Sequence, residues 1–326
     1  MDRRTLLKSG LAVGAGSAWP AFGQDAASSY PNRPVKVVVA FGPGGSTDLT
    51  ARAVNTKLSQ IFGQTFIVDN KPGGGSNIGA ELAARSAPDG YTLFLGTISN
   101  AVNMSLYKEL KYDLLKDFAP ISILSTAPAV LVVHPKVPAR TVRELIALAK
   151  ANPGKLNYAS SGVGTTPHLA GEMLKQRIGI DMVHVAYKGA GPALQDQIAG
   201  VTEVGFVTAL SAIPSIQAGH LRVLGVAAAK RLSLMPEVPT LAEAGLPDFE
   251  ITSWNGLFAP ARTDPKIIEK LNAACAQLSR MPDLQKTFAD QAAVSVSNSP
   301  DQFRAFIQKE IKIWGDMIKS VGVEQI

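Results

Sequence analysis

Two glycine-rich turns near the front of the chain hold the residues best suited to chemistry. They are Phe41-Gly42-Pro43-Gly44-Gly45-Ser46-Thr47-Asp48 and Asn70-Lys71-Pro72-Gly73-Gly74-Gly75-Ser76-Asn77. The chemistry is anion binding by backbone. Glycine has no Cβ, so a bound oxygen can approach the main chain closely. The first N–H groups of a following helix lack intrahelical partners and can donate to an anion directly. Neither turn is a nucleotide loop. A Walker A loop needs Lys and then Ser or Thr after its last glycine, whereas Gly45 is followed by Ser46-Thr47-Asp48, and a dinucleotide fingerprint needs glycine where Thr47 stands. Either turn alone could be a plain strand-to-helix connection whose glycines only supply unusual dihedrals. Two in one half of a domain favour the anion site.

Each turn must be held by a strand before it and a helix after it. The valine-rich run Val35-Lys36-Val37-Val38-Val39-Ala40 precedes the first, and Leu49, Ala53, Val54, Leu58, Ile61 and Phe62 follow at helical spacing. The second half of the chain repeats the design. Leu156-Asn157-Tyr158-Ala159 runs into Ser160-Ser161-Gly162-Val163-Gly164-Thr165-Thr166-Pro167-His168, and Val183-His184-Val185-Ala186 runs into Tyr187-Lys188-Gly189-Ala190-Gly191-Pro192. Hydroxyls and backbone donors gather at both helix starts, so four helix N-termini could face one cleft.

Apolar β-rich runs at 35–40, 65–68, 92–96, 120–125, 129–133, 156–159, 183–186, 203–207, 222–227 and 250–258 alternate with helical stretches. That alternation predicts α/β architecture with largely parallel sheets. Residues 264–326 read as helical and are expected to pack back on the first domain. The predicted domains are therefore 30–125 plus 256–326, which is discontinuous, and 126–255, with the ligand cleft between them.

A chain of 326 residues with 46% hydrophobic and 18% charged content can bury a full core. Its start, Asp2-Arg3-Arg4-Thr5-Leu6-Leu7-Lys8 before a short glycine-rich apolar run and small residues, predicts a signal peptide over residues 1–23. The adjacent arginines point to twin-arginine export. The apolar run is shorter than the roughly 20 residues a bilayer span needs. Removing the leader takes away three cations and one anion, so the formal charge falls from +6 to +4. That balance suits an acidic small molecule, and no basic run or basic–aromatic interleaving of a nucleic-acid binder is present. The single cysteine, Cys275, sits in a helical pattern and reads as a small buried apolar residue. His134, His184 and His220 lack metal-ligand spacing, so no metal and no cofactor is expected. No Gly-x-Ser-x-Gly elbow surrounds Ser99, Ser160 or Ser161. Asp48 is expected to cap its turn or hold a water, Trp254 to pack at a hinge and Trp314 to pack in the core.

Six segments together resemble the Bug family, the substrate-binding proteins of tripartite tricarboxylate transporters. They are the two glycine-rich turns, Ala87-Pro88-Asp89-Gly90-Tyr91-Thr92-Leu93, Pro153-Gly154-Lys155-Leu156-Asn157-Tyr158-Ala159-Ser160, His184-Val185-Ala186-Tyr187-Lys188-Gly189-Ala190-Gly191-Pro192 and Glu237-Val238-Pro239-Thr240-Leu241-Ala242-Glu243-Ala244-Gly245. The resemblance spans the mature chain in order. It implies a type II periplasmic binding-protein fold that closes on a small organic acid and delivers it to a membrane permease. By position it implies first-domain contacts at Phe41, Gly44, Ser46, Gly74, Gly75, Ser76 and Asn77, with Thr97 and Ser99 behind them. Second-domain contacts fall at Ser161, Thr165, Thr166, His168, Tyr187, Phe206, Val207 and Thr208.

There is one departure. Many members carry Phe-Asp-Asn where this chain has Phe206-Val207-Thr208. Aspartate could receive an ammonium group, valine cannot, and burying an unpaired ammonium is costly. The ligand expected here is therefore not an amino acid but a carboxylate with an apolar or aromatic body, a dicarboxylate such as terephthalate. A monomeric periplasmic binding protein is expected. The alternatives are a sensor module for a membrane histidine kinase and a small-acid hydrolase or lyase using Ser99, Ser161 or His168.

Overall fold

The computed structural model describes residues 29–320 and 325–326, so the expected leader lies outside the described residues. The first valine-rich run forms β1 (Val35–Val39), four of whose five residues are buried. A strand covered on both faces reads as a near-continuous apolar run, which is the signature of a parallel sheet. The chain continues through α1 (Ser46–Phe62), β2 (Phe66–Asn70), a single 3-10 turn (Gly74–Ser76), α2 (Asn77–Ala84), β3 (Thr92–Thr97) and α3 (Ile98–Leu106). β1 pairs in parallel with both β2 and β3. Both glycine-rich turns therefore leave the same edge of the sheet, where parallel strands end and helices begin.

The long strand β4 (Phe118–Val133) follows, then α4 (Val142–Ala151), β5 (Asn157–Ser160), α5 (Thr166–Ile178), β6 (Val183–Ala186), α6 (Ala190–Ile198), β7 (Val204–Thr208), α7 (Ala209–Gln217) and β8 (Arg222–Val226). After β9 (Thr252–Pro260) come α8 (Pro265–Leu278), α9 (Pro282–Ala289), the two-residue β10 (Val294–Ser295) and α10 (Pro300–Ser320). The strand order is β2-β1-β3-β9-β4-β7-β5-β6, with β8 and β10 also paired to β4.

β4 departs from the sequence reading. The sequence reads as separate runs at 120–125 and 129–133 with Ala127-Pro128 between them, yet the structure has one strand of 16 residues. Residues 118–128 of it pair antiparallel with β9, and 129–133 pair antiparallel with β7. Pro128 sits at the switch, past the last β10 pair at Thr126 and before the first β7 pair at Ala129. Proline is tolerated in a strand where no ladder bond is asked of it. The sheets are also less parallel than expected, because β4 and β9 run against their neighbours.

The C-terminal helices pack on the first half of the sheet, α8 against α1 and β4, and α10 against α3 and β4. Trp254, only 1% exposed, sits edge-on to Phe303 and Phe306 of α10 at 5.8 and 5.7 Å, and its Nε1 donates to Glu310. Each such aromatic pair contributes about 0.5–1.5 kcal/mol beyond its buried area. Cys275 is buried on α8, and burial pushes its thiol up to about 12. Among the described residues no helix is long and apolar enough to cross a membrane.

Candidate ligand-binding site

The first turn is braced by Asp48. Its carboxylate, 2% exposed, accepts from the Gly44 N–H at 3.0 Å, from Arg52 Nε and Nη2 at 2.9 and 3.1 Å, and from Asn70 at 3.0 Å. Burial alone would raise its pKa, but the bonds from Arg52, Gly44 and Asn70 outweigh that and hold it below the usual carboxylate value. With its charge engaged inside the turn, Asp48 leaves the start of α1 open. The N-cap of α1 is Gly45, and no side chain caps it.

The second turn is braced from α3. Asn103 donates to the Gly75 carbonyl at 2.8 Å and to Asn77 Oδ1 at 2.7 Å, Asn100 donates to Ser76 Oγ at 3.0 Å, and the Tyr112 hydroxyl donates to Asn77 Oδ1 at 3.0 Å. Burial first, relieved by Asn100 and Asn103, pushes Tyr112 up to about 12, which keeps it a donor. α3 itself opens with a capping box between Thr97 and Asn100.

Across from these turns, α5 begins at Thr165, α6 at Gly189 and α7 at Thr208, and none of the three has a side-chain cap. α4 and α8, which do not reach this region, are capped by Thr141 and Asp264. An uncapped first turn leaves its N–H donors for another acceptor.

These elements enclose a cavity of about 620 Å³, counting the part open to solvent. It is lined from α1, α3, β5, α5, α6, β7 and β9. None of the lining residues has an ionisable side chain, and ten carry a hydroxyl. The site can therefore hold an anion by hydroxyls and helix termini without a cation.

Of the residues singled out from the sequence, Phe41, Ser46, Thr97, Ser99, Ser161, Thr165, Thr166, Phe206, Val207 and Thr208 line this cavity. Seven others stand outside its lining, for identifiable reasons. Gly44 is engaged with Asp48. Gly74, Gly75, Ser76 and Asn77 are tied to α3 and Tyr107 and form the wall behind it. His168 Nδ1 accepts from the Gly164 N–H at 3.2 Å, and the Tyr187 hydroxyl donates to Asp196 at 2.8 Å.

The glycines have a partner that the sequence reading did not assign them. What approaches their main chain is the opposite turn. The Gly42 N–H donates to the Lys188 carbonyl at 3.4 Å. A Cβ on Gly191 would lie 2.1 Å from the Pro43 carbonyl oxygen, one on Gly189 would lie 2.9 Å from the Gly42 nitrogen, and one on Gly75 would lie 2.6 Å from the Val163 carbonyl oxygen. Turn 41–48 thus meets turn 187–192, and turn 70–77 meets turn 160–168, backbone against backbone.

The chain matches the family described as "Tripartite tricarboxylate transporter family receptor" over residues 50–323. It belongs to that family. BugT of Bordetella pertussis is 38% identical over 300 residues, covering 91% of this chain and 92% of its own. Rpa4515 of R. palustris, solved with adipate, superposes with a TM-score of 0.89 at 33% identity, covering 91% of this chain and all of that one. MatC from Rhodopseudomonas palustris, solved with bound malate, superposes at 0.85 and 31% identity, covering 89% of this chain and all of that one. The fold is that of the periplasmic solute-binding proteins of this Bug type.

Sequence reasoning passed over Ala193, Leu194, Gln197 and Ser253 and weighed Ser160 only as a nucleophile, and all five also line the cavity. A signal for three of them was present. Ala190, Ala193, Leu194 and Gln197 follow i, i+3, i+4, i+7 spacing, which marks one helix face, and Gln197 is the polar member of that stripe. Ser160 Oγ lies 2.6 Å from His184 Nε2, and that ring stacks on Tyr158 at 4.9 Å and lies 4.3 Å from His168.

Proposed function

We propose that this receptor captures a small organic dicarboxylate with an apolar body and delivers it to a tripartite tricarboxylate-type permease. The observation that carries the reading is the uncharged cavity onto which uncapped helix N-termini open from both sides. In this reading the lobes are residues 30–125 with 256–326 and residues 126–255, hinged at β4 and β9. One carboxylate meets the uncapped start of α1 beside the hydroxyls of Thr97 and Ser99, and the second lobe takes the other end. The mature protein works as a periplasmic monomer exported by the twin-arginine route.

The magnitudes are sufficient. A helix-terminus contact contributes about 0.3–1 kcal/mol when exposed and up to about 2 when partly buried. Several of these with apolar burial reach the roughly 8 kcal/mol of micromolar binding. The relatives solved with adipate and malate support the ligand class. Val207 and Leu194, with no acidic residue in the lining, argue against an amino acid. A thermal-shift screen of mono-, di- and tricarboxylates, terephthalate and amino acids tests this. Stabilisation by dicarboxylates is expected, and stabilisation by amino acids alone would refute it.

A second reading is hydrolysis, which draws on the Ser160–His184 contact. No hydrogen bond among the described residues orients the other nitrogen of that ring, so the third member of a triad is missing. Steady turnover of an ester or a bound acid by the purified protein would favour this reading over transport.

A further inference from the structure

Helix α6 presents Ala190, Ala193, Leu194 and Gln197 to the cavity. Three of these suit an apolar wall. Gln197 is 1% exposed, its Nε2 is buried without a partner, and its side chain makes no hydrogen bond with any described residue. Room for the amide comes from β7. A Cβ on Gly205 would lie 2.5 Å from Gln197 Nε2 and 3.0 Å from Oε1, so any larger residue there would displace the group. Leucine or methionine at 197 would complete the apolar stripe, while an unpaired buried amide is unfavourable. Native structures rarely leave such a donor unsatisfied; Gln197 lines the cavity, and a half-turn of its terminal amide exchanges Nε2 with Oε1 and turns the N–H toward what enters.

We propose that Gln197 is a specificity-determining residue whose unpaired side-chain amide, packed against Gly205, donates an N–H to an oxygen at the second-lobe end of the bound acid. The inference rests on the carboxylate-receptor reading and extends it. The recess then selects acids with a second oxygen function over chain-matched monoacids. A terminal methyl would satisfy Leu194 and Val207 but leave the amide unpaired, and sites built to hydrogen-bond a group discriminate strongly against analogues lacking it. A neutral amide also suits a cavity without cations, since it takes an oxygen of either a carboxylate or an uncharged group.

The experiment measures binding of two matched pairs, adipate with hexanoate and terephthalate with 4-methylbenzoate, by calorimetry on wild type, Gln197→Met and Gln197→Asn. Wild type should prefer the diacid at least tenfold in any pair it binds. Gln197→Met should lose at least tenfold for the diacid and little for the monoacid, so the preference collapses. Gln197→Asn, which keeps the amide but withdraws it by one methylene, should behave the same way toward the diacid. Ligand-free Gln197→Met should melt higher than wild type, because the unpaired amide is gone. A merely structural glutamine would give the reverse, a lower melting temperature and equal losses for both acids, and that result overturns the proposal. So does a variant that keeps the wild-type preference, or a wild type without one. If wild type binds none of the four acids, this inference falls together with the receptor reading; an unchanged preference in the variants refutes the inference alone.

Discussion

Replacing Gly191 by alanine separates closure from folding. Gly191 is the second residue of α6, where alanine is favoured over glycine by up to about 1 kcal/mol. The ligand-free protein should therefore melt no lower than wild type. Where the two turns meet as in the structure, however, the new Cβ would stand 2.1 Å from the Pro43 carbonyl oxygen, against an ordinary carbon–oxygen contact of roughly 3.3 Å. The two turns must part by about 1 Å to relieve it. That stretch breaks the 3.4 Å hydrogen bond from Gly42 to Lys188, a loss of about 1 kcal/mol, and withdraws one helix terminus from the ligand, about 1 kcal/mol more. The sum of about 2 kcal/mol corresponds to roughly 30-fold weaker binding. Calorimetry with whichever acid the screen identifies, beside a melting curve of the ligand-free protein, reads both effects. Affinity within about threefold of wild type would show that these turns do not meet when ligand is bound.

Val207→Asp places an unpaired carboxylate in the cavity wall. It should cost about 1–3 kcal/mol of stability, weaken diacid binding at least tenfold and allow a thermal shift with glutamate, whereas retained diacid affinity would contradict the role given to Val207. Asp48→Ala leaves the Gly44 N–H, Arg52 and Asn70 without their acceptor and should cost about 2–3 kcal/mol in a denaturant titration; a loss under about 0.5 kcal/mol would show that the turn holds without its brace. Burial, reinforced by His168, pushes His184 from its ordinary value near 6.5 down to about 4. The folded state keeps this ring neutral while the unfolded chain binds the proton, so its contribution is intact above pH 6.5 and is lost as pH falls toward 4, by about 2–3 kcal/mol. His184→Gln should flatten the stability–pH profile in that window, and a profile parallel to wild type would rule the group out.

Much of the fold was legible because its strands are short, apolar and separated by turn residues. The runs at 35–40, 92–96 and 183–186 became β1, β3 and β6 nearly residue for residue. The continuity of β4 was not legible, since Pro128 is harmless only at a place where pairing changes hands, which is a tertiary fact. The cavity was half legible. Residues at strand ends and helix starts, such as Ser46, Thr97, Thr165 and Thr208, are marked by local chemistry, and they line it. Gln197 lies two turns into a helix, where sequence shows a face but not what the face looks upon. The glycines were assigned to the ligand because an oxygen needs close approach. A facing backbone needs the same approach, and sequence cannot distinguish the two.

The central claim is that an uncharged cavity holds a carboxylate by helix termini and hydroxyls. Titrating the purified protein with adipate and with adipamide, its uncharged diamide, tests it most directly. The account predicts one site per chain for adipate at micromolar affinity and at least hundredfold weaker binding of the diamide. Equal binding of the two would contradict it.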